Sequence, residues 1–551
     1  MLRTISVRLI LFSLLITGVP AADDKAAVDR LLDRITQQED QFVQGLRTRS
    51  AIVETYIQET PNPEGDAAPV VRDHYFLAKL AFTKGLDYTP MVAGAEAPKG
   101  PRMFPFFKRS AAVFVPSGFA QMVLIDEDGF NRKNYTMEYV HREFVGEVRC
   151  LVFDVSPLDK KAQGKFIGRI WVEDHDYKVV RFNGTYTNSS SAHVYVHFDS
   201  WRQNVSQSLW VPAFVYVEES QPAEKGPAIP KFKAQTRLWG YNIAKTGNLE
   251  ELTSIAVEAE KAVSDNTVVP EISPLERQRL WERQAEKNIL ERLEKSGLLA
   301  PPGPVDDVLN TVVNNLIVSN RLGVEAKCRV LLTTPLETFS VGQTIVISRG
   351  LVDVLPDEAS LAMVLSAELA HIALGQRADT HFAFSDQTML SDGELLGRLR
   401  LGRPDSQVAA AAEKAMEILT KSPYGPKLGS AGLFLKALDS RAPQLTSLIR
   451  ANLGNQLASG NSVIMRELVD QAPALEQDKL EQIAALPLGS RVRLDPWTNE
   501  ISLLKGKPVT LISARDKLPF EVTPFLIFLS RAGAPSRDQN PAAVSGAPVQ
   551  P

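Results

Sequence analysis

The spacing of apolar residues divides the chain into three stretches. Residues 24–50 place apolar side chains at helical intervals among charged ones, which predicts an amphipathic N-terminal helix. From about residue 51 to 260 the pattern changes to short runs rich in β-branched and aromatic residues, separated by Gly, Pro, Asp and Asn. Such runs predict one antiparallel sheet built from successive hairpins. Beyond residue 274, helical spacing dominates.

Breaks in this pattern give the predicted domain boundaries, and the fold class they indicate is a multidomain α+β protein. The segment NTVVPEISP (266–274) predicts a joint, and a charged helix follows that ends at Gly297, before the helix-breaking PPGP. A last β-rich section is predicted from RVRLDPW, EISLL and KPVTLISAR. The predicted units are a signal peptide (1–22), an antiparallel, half-barrel-like β domain (23–265), a helical linker (266–304), a mainly helical domain with a small β-rich end (305–532) and a disordered tail (533–551).

The first 22 residues, MLRTISVRLILFSLLITGVPAA, predict export. Two arginines precede an apolar run that ends in small residues, as in a secretory signal cleaved near Ala21 or Ala22. The alternative is an uncleaved membrane anchor, for which the apolar run is short. No later run of eighteen apolar residues occurs. We therefore expect a periplasmic or secreted protein without a transmembrane span after cleavage.

Composition narrows the partner classes. Apolar residues make up 44% and charged residues 23% of the 551 residues, and the formal net charge is -4. This balance gives no general attraction to nucleic acid, so none is expected as a partner. Cys150 and Cys328 fall in different predicted domains, which predicts two buried free thiols and no disulfide.

The most informative motif lies in residues 364–375, which read VLSAELAHIALG. Its core is one substitution away from H-E-x-x-H, in which two His side chains on one helix face hold Zn²⁺ and Glu acts on the metal-bound water. Glu368 and His371 keep two of the three functional positions. Ala367 stands at the first His and offers no lone pair.

The longer run TFSVGQTIVISRGLVDVLPDEASLAMVLSAELAHIALG resembles the HtpX-like zinc metallopeptidases, family forty-eight among metallopeptidases. The likeness covers about residues 300–530 and is most specific in the forty residues before Gly375. The matching positions are Phe339, Gly342, Ile345, Gly350, Leu351, Leu361, Val364, Leu365, Glu368, Ala370 and His371. The resemblance implies a zincin-like fold, with Glu368 as general base and His371 as zinc ligand. It also implies a substrate groove at Gly342, Thr344, Ile345 and Ile347, on an edge strand able to pair with an extended chain.

This chain departs from the family pattern at the metal. Besides Ala367, it has Gln376 where many members carry a further His, and the family's third zinc ligand, a Glu on a later helix, falls on Val408. A shifted register would offer Glu413 instead, and His381 is the one further His in this half. We therefore expect Glu368 and His371 to be vestigial, with Glu368 paired to His371 or to a nearby Arg.

A looser resemblance concerns the N-terminal stretch. The runs RIWVEDHDYKVVRFNGTY and HVYVHFDSWRQNVSQSLWVPAFVYVEE are similar in pattern to periplasmic lipoprotein-sorting carriers, whose curved sheet holds acyl chains. The function predicted is a pseudopeptidase without zinc that binds a protein or peptide in the cell envelope. Two alternatives stay open: an active zinc metalloendopeptidase with an atypical ligand set, and a lipid or lipoprotein carrier acting through the N-terminal domain.

Overall fold

The structure is a computed structural model. It describes residues 21–60, 70–92, 107–108, 113–187, 196–219, 231–242, 273–380, 383, 392–459 and 462–532, apart from the single positions 84, 128, 160, 490, 505, 507, 508 and 526. The predicted signal peptide, except for its last two residues, and the predicted tail 533–551 lie outside the described residues.

One antiparallel sheet of ten strands fills the N-terminal half, after helix α1 (Ala21–Leu46). Its strands are β1 (Ser50–Thr60), β2 (Arg72–Ala81), β3 (Asp87–Pro90), β6 (Tyr135–Val145), β7 (Val148–Pro157), β8 (Phe166–Glu173), β9 (Val179–Tyr186), β10 (His197–Ser206), β11 (Leu209–Glu219) and β12 (Lys231–Trp239). A separate ribbon pairs β4 (Phe107–Lys108) with β5 (Val113–Phe114), and α2 (Pro116–Gln121) follows. The predicted N-terminal helix and antiparallel sheet are confirmed.

The order of the sheet is β3-β2-β1-β12-β11-β10-β9-β8-β7-β6. Most neighbours are successive hairpin partners, as the sequence pattern predicted. The exception is the pair formed by the third and fourth strands of this order, in which β1 lies antiparallel to β12, with Ile52 opposite Trp239. In the described part, β3 and β6 form the two ends of an open sheet.

Both faces of the central strands are buried, whereas an antiparallel sheet often leaves one face in solvent. On β1, Val53 and Ile57 join the core that α1 covers, and Ile52 and Tyr56 join the core shared with the C-terminal half. Successive side chains of a strand point to opposite faces, so this strand reads as one continuous apolar run. At β1 the sheet is therefore a middle layer between two cores.

The C-terminal half is mainly helical, and the mixed α+β class is confirmed at this level. Its helices are α3 (Pro274–Lys295), α4 (Pro304–Asn320), α5 (Arg349–Val354), α6 (Glu358–Ala373), α7 (Asp392–Arg398), α8 (Asp405–Thr420), α9 (Leu428–Arg441), α10 (Thr446–Ile449) and α11 (Arg466–Gln471), with short 3₁₀ turns at Gly425–Lys427 and Ala514–Lys517. Helix α3 ends two residues before the predicted Gly297. None of the helices in the described part combines the length and apolar content that crossing a bilayer requires.

Short strands accompany these helices. They are β13 (Lys327–Leu331), β14 (Glu337–Val341), β15 (Thr344–Ser348), β16 (Asn455–Gln456), β17 (Ala458–Ser459), β18 (Ser462–Val463), β19 (Val492–Leu494) and β20 (Ile501–Leu503). The β-rich end is smaller than predicted, because residues 509–513 of KPVTLISAR form no strand. Val509 and Ile512 are exposed there and have no sheet face to pack on.

Buried polar contacts join the sheet to the C-terminal half. The carboxylate of Glu54 on β1 accepts hydrogen bonds from the Thr334 amide and hydroxyl and from Arg349 Nη2 on α5. The carboxylate of Asp73 on β2 accepts from the amides of Ser447 and Leu448. Cys150 and Cys328 are buried and free, as predicted.

Candidate functional site

Helix α6 carries the motif residues into the interior. The Asp357 side chain caps its N-terminus by accepting a hydrogen bond from the Ser360 amide at 2.8 Å. The helix is apolar on more than one face because it packs against α8 on one side and against β14 and β15 on another. As a result Glu368 and His371 are 1% and 2% exposed.

The carboxylate of Glu368 is held by neutral donors. Its Oε1 accepts from Thr338 Oγ1 on β14 at 2.8 Å and from Asn455 Nδ2 on β16 at 2.9 Å. Its Oε2 is buried and has no hydrogen-bond partner among the described residues. The predicted pairing of Glu368 with His371 or with an Arg is therefore wrong. Thr338 and Asn455, two polar side chains from a neighbouring sheet, donate the hydrogen bonds to the carboxylate instead.

Arg403 is the cation near this carboxylate, although it forms no direct ion pair with it in the described part. Its Nη2 donates to the Ser340 carbonyl at 2.9 Å and its Nη1 to the Leu401 carbonyl at 3.0 Å. Burial lowers the pKa of Arg403, and the charge of Glu368 works in the opposite direction. The pair thus interacts electrostatically without contact.

The imidazole of His371 forms a hydrogen bond with Gln376. Its Nδ1 lies 2.5 Å from Oε1 of Gln376, in the turn that follows α6. An amide oxygen only accepts, so Nδ1 carries the hydrogen in this contact. The residue that replaces the family's further His thus fixes the orientation of the remaining one.

The donor set of this site does not fit zinc. Ala367 and Val408, at the lost ligand positions, are half-buried on α6 and α8 and provide no donor atom. Glu413 is exposed on α8. Among the described residues, no group of three or more His, Cys, Asp or Glu side chains is placed to hold a metal ion. His381 lies outside the described residues.

The predicted groove strand is not an edge. Strand β15 pairs in parallel with β13 and antiparallel with β14, in the order β13-β15-β14-β16. Ile345 and Ile347 are buried and Thr344 is half-buried. The prediction of an edge strand here is wrong, because the backbone already pairs on both sides. Gly342 occupies the β14–β15 turn at a φ of +58°, and the groove role of these four residues stays a prediction.

Sequence reasoning missed the residues that hold Glu368 in place. Glu337, next to Thr338, accepts hydrogen bonds through Oε2 from the amides of Asn452, Leu453 and Gly454 at 2.9, 2.8 and 3.0 Å. These bonds fix the turn that delivers Asn455. A lone acid within the apolar stretch around β14 was the available signal for Glu337. Nothing local marked Asn455, which is 87 residues from Glu368.

Glu337 should make stability depend on pH. Burial is the largest cause that raises its pKa above the ordinary value of 4.5, against three backbone hydrogen bonds that lower it. The folded state then binds this proton more readily than the unfolded state, so its contribution to stability increases as the pH falls from 7 toward 4.5 and is constant below that. We expect the free energy of unfolding of the wild type, measured by urea denaturation, to rise over this range relative to Glu337→Gln.

The matched control is Glu417→Gln. This exposed carboxylate bonds to Lys414 and Lys421, which lower its pKa to about 2, so it stays ionised over the same pH range. The control should follow the wild-type pH profile. If Glu337→Gln also follows it, the raised pKa of Glu337 is contradicted.

This chain has little similarity to known proteins in sequence or in structure. No protein-family model matches the chain. No curated protein matches it. Among solved structures, a chain of the Pseudomonas aeruginosa MucA/MucB complex is similar with a TM-score of 0.13 and 7% identity, covering 37% of this chain and 93% of that chain. A likeness at this level supports no statement about fold or function.

Proposed function

We propose that this chain is an exported, zincin-like pseudopeptidase, which binds a protein or peptide partner in the cell envelope and does not hydrolyse it. The observation that carries the proposal is the donor set around α6. Ala367 and Val408 supply no ligand. Thr338 and Asn455 donate to Oε1 of Glu368, and Gln376 accepts from Nδ1 of His371. Glu368 then acts as a buried anchor between α6, β14 and β16.

The binding role has separate support at the end strand of the N-terminal sheet. Strand β6 is the last strand in the sheet order, and its apolar side chains Tyr139, Val140 and Phe144 are 55%, 39% and 69% exposed. Exposed apolar residues on a long end strand are typical of surfaces that receive an extended segment of another protein. The carrier alternative has less support. In a carrier, one face of the N-terminal sheet would hold acyl chains, but here α1 and aromatic side chains such as Phe119 pack against the sheet.

Metal content tests the pseudopeptidase proposal. We expect the purified full chain, after incubation with zinc and gel filtration, to retain less than about one tenth of an equivalent, since one imidazole and one carboxylate hold zinc weakly. The double variant Ala367→His/Val408→Glu is the matched comparison. If the resemblance places the ligand positions correctly, this variant should retain about one equivalent and lose it again with His371→Ala.

Two outcomes would count against the proposal. Stoichiometric zinc in the wild type, lost on His371→Ala, would favour the active zinc endopeptidase. Hydrolysis of unfolded casein by the wild type that chelator abolishes would do the same. Failure of the double variant to bind zinc would instead contradict the ligand positions assigned from the family resemblance.

A further inference from the structure

A second polar site lies where the N-terminal sheet meets the last segment of the chain. It is a cavity of about 80 Å³. Its lining residues include Arg237 and Arg493, beside apolar side chains from both halves: Ala213, Phe214, Leu494, Phe525 and Ile527. A single water needs roughly 10–15 Å³ of cavity volume, so the cavity has room for a few non-hydrogen atoms.

Arg237 on β12 is the unusual member of this lining. It is 5% exposed, and its Nε and Nη2 are buried without a hydrogen-bond partner in the part of the chain that the structure describes. Its guanidinium lies over the rings of Phe214 and Phe525, 5.2 and 5.5 Å from their centroids, and the two rings contact each other. Burial lowers the pKa of Arg237 to about 9, so the group is charged at pH 7.

The cross-strand neighbour that should satisfy Arg237 is already occupied. Glu54 stands directly opposite it on β1, but its carboxylate bonds to Arg349, Thr334 and Tyr75. Gln235, two residues before Arg237 on the same face, likewise has its buried amide nitrogen and oxygen without partners among the described residues. Buried donors of this kind are costly unless an acceptor reaches them.

The backbone of Gly489 lies close against the guanidinium. Gly489 adopts a φ of +77°, and a Cβ atom there would lie 2.6 Å from Arg237 Nη2. A residue other than glycine would therefore press on the guanidinium. At the mouth of the cavity, Leu504 and Phe528 are 39% and 50% exposed, which extends the apolar lining to the surface.

We propose that this cavity binds a carboxylate carried on an apolar chain, with the guanidinium of Arg237 as its anchor. The planar donor edge of Arg suits a carboxylate, which can accept two parallel hydrogen bonds. The apolar walls and mouth suit the attached chain. The small volume of the cavity favours a ligand with a single charged group. Two sources share this chemistry: a medium-chain fatty acid, and the C-terminal residue of a peptide that ends in an apolar side chain.

The proposal does not depend on α6 or on the pseudopeptidase assignment, and titration calorimetry with the full chain tests it. The probes are octanoate with octanamide as its neutral analogue, and the peptide Ala-Leu-Leu with a free or an amidated C-terminus. We expect saturable binding of at least one free carboxylate and weaker binding of its amide. Arg237→Met should weaken binding by about tenfold to a hundredfold, the effect of losing hydrogen bonds to a charged group.

Two further variants separate binding from folding. Ala213→Leu fills the cavity and leaves Arg237 in place, so it should abolish binding while the protein stays folded. Arg466→Met, at an exposed arginine on α11, should bind as the wild type does. Octanoate binding alone identifies the fatty-acid source, and peptide binding alone identifies a C-terminus. Binding of neither carboxylate, equal binding of the amides, or undiminished binding by Arg237→Met or Ala213→Leu would overturn the proposal.

Discussion

Replacing Glu54 with Gln should lower the free energy of unfolding by about 3–5 kcal/mol, the usual cost of removing one partner of a buried ion pair. Arg349 is fully buried and donates through Nη2 to Glu54 at 2.6 Å. Its other carboxylate contact, Asp353, is longer at 3.3 Å and also accepts hydrogen bonds from the backbone amides of Arg491 and Val492. The variant therefore leaves a buried guanidinium short of negative charge.

Urea denaturation measures the loss, and hydrogen exchange locates it. The Thr334 amide donates to Glu54 Oε1 at 2.6 Å, so its exchange should accelerate more than that of β14. The control is the same substitution at Glu417, an exposed carboxylate between two lysines, where the loss should be small because solvent screens surface ion pairs. A loss at Glu54 no larger than this control would contradict the role of the contact in joining the two halves of the chain.

Replacing Arg202 with Met should destabilise the docking of α1 by a similar amount, about 3–5 kcal/mol. Arg202 on β10 donates to both carboxylate oxygens of Glu39 on α1, at 2.6 and 2.7 Å, and both side chains are 1% exposed. Its guanidinium also lies 3.6 Å from the centroid of the Phe42 ring. Without Arg202, the Glu39 carboxylate stays buried and uncompensated.

Limited proteolysis within α1, together with urea denaturation, measures this effect. The double variant Arg202→Met/Glu39→Met should recover most of the lost stability, because it removes both buried charges and keeps apolar volume. Arg132→Met, which breaks an exposed contact with Asp29 and Asp33 of the same helix, should cost under about 1 kcal/mol. A double variant as unstable as Arg202→Met would show that the stabilisation comes from shape rather than from compensated charge.

Much of the local structure was predictable from the sequence. The period of apolar residues predicted α1, the hairpin strands and α3, because that period follows from which face of each element is buried. The start of α6 also has a local signal in the sequence, since Asp357 precedes the apolar helix and caps it. The near-miss motif correctly put Glu368 and His371 on one helix.

The surroundings of Glu368 were not predictable in the same way. Thr338, Asn455 and Arg403 come from separate segments, and side chains of their types occur on any polar surface. Their role depends on the pairing of β14 with β16, which joins Thr338 to Asn455 across more than a hundred residues. The mistaken edge assignment of β15 has the same origin: an apolar strand reads alike whether one or two neighbours pair with it.

The sequence by itself determined the element types, the mixed α+β class and the absence of donor atoms at positions 367 and 408, because periodicity and side-chain chemistry are local properties. Only the tertiary structure decided which partners those elements meet. It paired β1 with β12, buried both faces of β1, and bound Glu54 to Arg349. Nε and Nη2 of Arg237 are therefore left without a hydrogen-bond partner among the described residues. Such choices depend on competition between distant groups for the same buried partner, and no single segment of the chain contains that information.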